Sequence, residues 1–327
     1  MIRRIGWVAV IVGAIVSALL APEPSIAASP LKFVVGFAAG SGVDAITRVV
    51  ADRVQAMAGA PAIVVNRPGA GGRIAAEAVV HAEPDGSTIL AAPIVTTAFT
   101  PFVFDKVGFD ALKDLVPVTR LGNFKFALAV NVEVPVHTAQ EFVAYVKANP
   151  GKTLYATPGP GTPAHFLGAM FNRATGTDLV HVPYAGSGPA AVALLSNQVQ
   201  SAINTTVALL PLYQTQKIRL LAVTGEKRDL ALPDVPTFAE LGMNLGEMEK
   251  AEMWYGFFVP SGTSPATVQH LNQILVTALN DPGVREKLKI LDVDPAPDTP
   301  EAFAKLVKAD YDRWGPVIRS TGFKVGN

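Results

Sequence analysis

An α/β fold in two lobes is what this sequence predicts, and three observations predict it. After residue 28, short β-branched runs alternate with amphipathic segments of helical period, the pattern of parallel strands with helices on both sheet faces. Roughly 300 residues follow that point, more than one hydrophobic core usually serves. Glycine is concentrated in loops that leave a strand run and enter a helical one, which is the edge of an open α/β sheet where ligands sit.

The chain opens with Arg3-Arg4, an apolar run from Ile5 to Ala21, helix-breaking Pro22 and Pro24, and small residues at Ser25 and Ala27. Residues 1–28 therefore read as a signal peptide cut after Ala27 or Ala28, and the mature protein is expected in the periplasm. The alternative is a retained anchor, since the run reaches the lower edge of a spanning length. No cysteine follows it, so a lipid anchor through one is excluded.

Leu31 to Phe37 reads as the first strand, and Phe37 to Asp44 as its loop. In the helix that follows, Ile46, Val49, Val50, Val54 and Met57 form one apolar face while Arg48, Asp52 and Arg53 stay in water. Ser41 with Asp44 reads as a capping box. Further strand-to-helix units are expected at Ala62–Asn66, Ser87–Ala92, Thr153–Thr157, Leu179–Pro183, Val199–Ile203 and Arg219–Thr224. Ala127–Val132 and Met253–Val259 are strand-like runs ending near Pro135 and Pro260, and they are the expected crossings between lobes. One lobe then comprises residues 29–130 plus 254–327, and the other residues 131–253. Helices from Ser264 to Asn280, Asp281 to Leu291 and Thr299 to Ser320 are expected to pack back on the first lobe.

Lysine plus arginine and aspartate plus glutamate both number 27, a net charge of zero that offers no field to a polyanion and argues against nucleic-acid binding. The chain has no cysteine, hence no disulfide, thiolate nucleophile or sulfur metal site. Its five histidines lack metal-ligand spacing, and neither a metal nor a cofactor is expected. Any anion must be held locally. Glycine loops can do so with bare N–H groups, because a helix start carries about half a unit of positive charge.

Four loops are candidates: Phe37 to Asp44, Pro158-Gly159-Pro160-Gly161-Thr162, Tyr184-Ala185-Gly186-Ser187-Gly188, and Asn204-Thr205-Thr206. Their glycines, serines and threonines also suit plain helix capping, with Pro189 setting a first turn. Gly159-x-Gly161-x-x-Ala164 fits a relaxed dinucleotide fingerprint, but the acidic partner should end the next strand and Asp178 begins it. Asn66 to Gly72 lacks the Gly-Lys-Ser/Thr ending of a phosphate loop and reads as a turn of positive-φ glycines with Arg67 in a surface ion pair. Ser41 and Ser187 do not sit in a Gly-x-Ser-x-Gly elbow. An exported serine hydrolase using Ser187 or Ser41 with His165 is the alternative from a different class. His165 and His181 read more simply as packed, hydrogen-bonded side chains, and no enzyme is expected.

Asn66-Arg67-Pro68-Gly69-Ala70-Gly71-Gly72, Pro84-Asp85-Gly86, His181-Val182-Pro183-Tyr184 and Leu232-Pro233-Asp234-Val235-Pro236-Thr237, in this order, closely resemble the substrate-binding receptors of tripartite tricarboxylate transporters, the Bug family. The resemblance covers essentially the whole mature chain. It implies the two-lobed periplasmic-binding-protein fold (Venus flytrap, type II-like), with a ligand cleft between lobes that captures a small organic, amino or aromatic carboxylate and delivers it to the membrane subunits of such a transporter. A clamshell receptor needs no partner subunit, so a monomer is expected. By the same matching, Phe37, Gly40 and Asp44 belong to the first-lobe site, Gly159, Gly161, Thr162 and His165 to the second-lobe glycine loop, and Tyr184, Gly186 and Ser187 to the next. Ala39, Ser41, Gly42, Ile94, Pro158, Asn204 and Thr205 complete the expected ligand-binding set, with the N–H groups of residues 39 to 42 on the near carboxylate.

Three departures from the family pattern bear on the ligand. Ala38-Ala39-Gly40-Ser41 replaces Pro-Pro-Gly-Gly, Ala185 stands where a lysine is common, and Gln200 where an aspartate is common. With Pro93-Ile94-Val95, Pro158 and Pro160, these changes favour an apolar or aromatic carboxylate over a highly charged one.

Overall fold

The computed structural model describes residues 30–250 and 253–326, so the expected signal peptide lies outside the described residues. Strand β1 (Leu31–Val35) leads through a loop into α1 (Gly42–Ala58), and β2 (Ala62–Asn66), α2 (Arg73–Val80) and β3 (Thr88–Pro93) follow. After β3 the chain makes a π-turn at Val95–Phe99 and a short helix, α3 (Thr100–Val103). Then come β4 (Leu115–Phe124), β5 (Phe126–Asn131), α4 (Ala139–Ala148), β6 (Leu154–Thr157), α5 (Pro163–Thr175), β7 (Val180–Pro183), α6 (Ser187–Leu195), β8 (Ser201–Thr205), α7 (Thr206–Gln214) and β9 (Ile218–Val223). The chain ends with α8 (Glu247–Lys250), β10 (Met253–Pro260), α9 (Pro265–Asn280), α10 (Pro282–Ile290), β11 (Asp294–Pro295) and α11 (Pro300–Ser320). No described helix is long and apolar enough to cross a membrane.

Two sheets result, in the orders β11-β4-β10-β3-β1-β2 and β7-β6-β8-β5-β9. The strand-to-helix units give parallel pairs, β2-β1-β3 in one sheet and β7-β6-β8 in the other. Both sheets are mixed, because β10 pairs antiparallel with β3 and β4, and β5 antiparallel with β8 and β9. Strands at a crossing enter their sheet from the other side, and no periodicity within a strand records that. Consecutive strands β4 and β5 lie in different sheets with Lys125 alone between them. The sequence puts this change within 127–132; all of Phe126–Asn131 belongs to the five-stranded sheet. β4, which the sequence pattern does not announce, is ten residues long with mixed burial, and Pro117 and Gly122 interrupt its alternation.

The β1, β3 and β10 runs are buried on both faces, as a central layer between helices requires. Trp254 packs edge-on to Phe303 with ring centroids 5.0 Å apart, and its indole N–H donates to Asp310 Oδ2 at 2.7 Å. Helix α11 lies along β4 and the π-turn, with the Trp314 and Phe99 rings 5.3 Å apart. Beyond it, Phe323 crosses to α5 and meets His165 edge-on at 4.5 Å.

Candidate ligand-binding site

Five strand-to-helix junctions open on one cavity. Its walls include Ser41, Gly42 and Val43 at the start of α1, Ile94 and Val95 after β3, Thr162 and Pro163 at the start of α5, Ser187 opening α6, and Thr205 ahead of α7. The cavity measures about 40 Å³, enough for about three waters by the space that one water's centre requires. Phe124 and Phe126, on either side of Lys125, and Tyr255 on β10 form the wall at the crossing strands. No Lys, Arg, Asp, Glu or His lines it.

What makes the site polar is backbone. In α1 the first intrahelical bond runs from Ala45 N–H to the Ser41 carbonyl, so the N–H groups of Gly42 and Val43 precede the ladder. In α6 it runs from Ala190 N–H to the Gly186 carbonyl, ahead of which stand the N–H groups of Ser187 and Gly188. Each helix start adds about half a unit of positive charge.

The sequence expects a capping box from Ser41 and Asp44, and none forms: Ser41 makes no side-chain cap bond. Asp44 turns the other way. Its carboxylate accepts from Gly40 N–H at 2.9 Å, from Arg48 Nε and Nη2 at 3.1 and 2.9 Å, and from Asn66 Nδ2 at 2.8 Å. Burial alone would raise its pKa, but these hydrogen bonds and the Arg48 charge together hold it below the ordinary value. Asn66 Nδ2 also donates to the Phe37 carbonyl at 3.0 Å, so the Asn-Arg-Pro motif fastens the first loop. Ser41 Oγ is thereby left without a hydrogen-bond partner in a residue 2 % exposed on the cavity wall.

The amide cradle shifts with it. Gly40 N–H is engaged by Asp44, and Ser41 N–H donates to the Ala38 carbonyl at 3.1 Å. Ala39 and Gly40 are exposed and lie off the cavity. Gly40 instead supplies the turn, at φ +80°. The available donors of this loop are therefore Gly42 and Val43 rather than residues 39 to 41.

Of the other expected residues, Phe37, Ile94, Pro158, Thr162, Ser187 and Thr205 line the cavity with Ser41 and Gly42. Asp44, Gly159, Gly161, His165, Tyr184, Gly186 and Asn204 do not; they hold the loops behind it. Asn204 donates through Nδ2 to the Ser187 carbonyl at 2.8 Å and accepts from Thr205 N–H at 2.8 Å. Thr162 Oγ1 donates to the Gly159 carbonyl at 2.7 Å, and Gly161 N–H donates to His165 Nδ1 at 3.3 Å. The His165 ring stacks on His181 at 4.1 Å, and His181 Nε2 lies 2.6 Å from Thr157 Oγ1. Burial lowers both imidazole pKa values, that of His181 to about 3 with the neighbouring His165 adding to the effect. Both rings are neutral and stand behind the wall, and His165 forms no hydrogen bond with Ser41 or Ser187 among the described residues. The hydrolase alternative therefore lacks its nucleophile and base pair.

Gln200 also stands apart: its Oε1 accepts from Leu154 N–H at 3.0 Å, so its departure from the family pattern concerns strand β6 and not the cleft. Arg67 is exposed and makes no ion pair with a described residue.

Tyr255 is the wall residue that sequence reasoning passes over, because its run reads as a crossing strand. Its ring stacks on Phe124 at 4.1 Å, and its hydroxyl faces Thr205, which links the two sheets. Burial pushes its pKa up, so it stays a neutral hydroxyl.

The two lobes meet around this cavity. A Cβ on Gly188 would lie 3.3 Å from the Gly40 carbonyl oxygen, one on Gly42 would lie 2.9 Å from the Tyr255 hydroxyl and 3.1 Å from Val207, and one on Gly161 would lie 3.0 Å from Val103.

Residues 46–323 match the family described as tripartite tricarboxylate transporter family receptor. The chain belongs to this receptor family. It is 32 % identical over 302 residues to protein BugT of Bordetella pertussis, covering 91 % of each chain. Among solved structures it resembles R. palustris Rpa4515 with adipate, at TM-score 0.85 and 28 % identity over 93 % of this chain and 99 % of that one. It also resembles MatC from Rhodopseudomonas palustris with bound malate, at TM-score 0.81 and 30 % identity over 89 % and 99 %. The receptor family's two-lobed periplasmic-binding-protein fold is the one described above.

Proposed function

We propose that this chain is a periplasmic solute receptor that captures one small carboxylate between its lobes and delivers it to a tripartite tricarboxylate-type membrane transporter. The observation that carries the reading is the convergence of the α1, α5, α6 and α7 starts on an uncharged cavity that also holds the unpartnered hydroxyl of Ser41. A buried polar group without a partner is costly, and an anion there satisfies it while meeting the positive ends of the helices. The adipate and malate bound by Rpa4515 and MatC support the same ligand class.

One lobe carries the six-stranded sheet and the other the five-stranded sheet, and the hinges are Lys125 and the start of β10 at Met253. Ligand binding stabilises the closed form that the transporter recognises. A clamshell receptor needs no partner subunit to bind its ligand, and the working unit in this reading is a monomer.

Native mass spectrometry of the gently purified protein, followed by identification of small molecules released on denaturation, tests the reading. A carboxylic acid at one per chain, recovered chemically unchanged, is expected. A nucleotide or a covalent acyl adduct would contradict it.

A further inference from the structure

Hydrogen-bond donors are plentiful around this cavity, and room is scarce. The N–H groups of Gly42 and Val43 precede the ladder of α1, those of Ala164 and His165 precede the first bond of α5 from Phe166 N–H to the Thr162 carbonyl, and those of Ser187 and Gly188 precede the ladder of α6. They outnumber the about four acceptor positions of one carboxylate. The space between these helix starts is about 40 Å³, the room of about three waters. Bonded atoms lie about 1.5 Å apart and hydrogen-bonded waters about 2.8 Å, so the same space admits about four to seven non-hydrogen atoms.

The closed lobes leave the cavity little means of growing. Three helix starts of the five-stranded lobe press on the other lobe: α6 through Gly188 on the Gly40 carbonyl, α7 through Val207 on Gly42, and α5 through Gly161 on Val103. A Cβ added to Gly188, Gly42 or Gly161 would lie 3.3, 3.1 or 3.0 Å from that neighbour, so these rims are already in contact. Outside the α5 start, Phe166 packs on Phe99 at 6.2 Å and His165 meets Phe323 at 4.5 Å. The walls are equally fixed. Phe124 stacks on Tyr255 at 4.1 Å and meets Phe126 edge-on at 5.6 Å. Ile94 is buried at the head of the π-turn, where its carbonyl accepts from Thr97 Oγ1 at 3.3 Å, and Phe99 of the same turn packs on Trp314 at 5.3 Å. Ile94 is also the largest aliphatic side chain on the wall.

We propose, on the basis of the receptor reading above, that the solute is a short-chain acid of about two to four carbons, and that Ile94 is the residue that limits its length. A longer chain or an aromatic ring holds the rims of α5, α6 and α7 off the other lobe, and the closed form is not reached. Selection is then by size at closure, with the helix starts serving any carboxylate that fits.

Isothermal titration of the purified, exhaustively dialysed protein at pH 7.5 with acetate, propanoate, butanoate, malonate, hexanoate, adipate and benzoate tests this, alongside mass-spectrometric identification of any acid released on denaturation. The tightest binder is expected among the four short acids, with hexanoate, adipate and benzoate weaker by about tenfold or more, the cost of forcing extra carbons into a packed space. Equal or tighter binding of the three large acids, or release of an acid of more than about four carbons, would overturn this inference and leave the receptor reading standing. If none of the seven binds, release of a different short acid supports the inference, whereas a protein that neither binds nor releases an acid overturns the receptor reading and this inference with it. Ile94→Ala and the milder Ile94→Val, each confirmed as folded by circular dichroism, test the limiting residue. Affinity for hexanoate relative to propanoate is expected to rise about tenfold in Ile94→Ala and about threefold in Ile94→Val, as the freed room takes up further methylenes. An unchanged ratio in a folded variant would contradict the role given to Ile94.

Discussion

Ser41 and Asp44 divide the work of starting α1 in a way that their spacing conceals. The spacing is that of a capping box, yet Asp44 is drawn to Arg48 and Asn66, whose three hydrogen bonds outweigh the one that Ser41 would offer. The serine hydroxyl is released to the cavity as a result. Ser41→Ala is therefore expected to weaken ligand binding by about tenfold, the worth of one hydrogen bond to a charged group, with an unchanged melting temperature. Titration calorimetry and a thermal melt of the unliganded variant read the two quantities separately. Asp44→Ala should behave in the opposite order. It removes a carboxylate whose side chain is 3 % exposed and should cost about 2 kcal/mol of stability, read by denaturant unfolding. Affinity would fall as a secondary effect of a loosened loop. The candidate residues were legible by type and by loop. Which atoms face the ligand was not, because that depends on Asn66, 22 positions away from Asp44.

At the scale of elements, the sequence exposes strand-to-helix junctions well. Glycine, proline and hydroxyl residues mark them, and β1, β3, β6, β7 and β8 do deliver their following helices to one cavity. It exposes crossings poorly. Tyr255, Phe124 and Phe126 reach the cavity only because β10 and β4 of one sheet and β5 of the other meet beside it, and strand direction leaves no trace in local pattern. The glycines at the rim carry a different kind of information, the close approach of one lobe to the other. A side chain at Gly188 would press on the Gly40 carbonyl, which is backbone and cannot rotate away. Gly188→Val, at a half-buried position on the first turn of α6, should leave the melting temperature of the unliganded protein within about 2 °C. It should reduce affinity by more than tenfold by holding the lobes apart. An unchanged affinity would mean that closure of this rim is not part of binding.

Over the whole molecule, the lobes are joined at Lys125 and across a carboxylate pair next to it. Lys125 Nζ lies 3.0 Å from Asp229 Oδ2 in one lobe, and Asp292 from the other lobe comes up to Asp229 and Thr206. Burial, and then the charge of Asp229, raise the Asp292 pKa to about 7 against the Thr206 hydrogen bond and Lys125. The folded chain thus keeps a proton that the unfolded chain releases near the ordinary value of 3.8. Stability from this group is fully present below that value and is lost as pH rises through about 7. Asp292→Asn should flatten the melting-temperature profile between about pH 4 and 7 and raise the melting temperature at pH 8 by about 2 °C or more. A wild-type slope retained in the variant would show that another group titrates. Closure itself should appear as a smaller radius of gyration in solution scattering when ligand is added.

The central claim is that an uncharged cavity holds an anion by the starts of helices, chiefly α1. A crystal structure of the protein with its bound acid tests it most directly. The account predicts a carboxylate oxygen within hydrogen-bonding distance of Ser41 Oγ and the Gly42 N–H, with no basic side chain in contact. A carboxylate held by Arg67 or Arg73, or lying outside the cavity between the lobes, would contradict it.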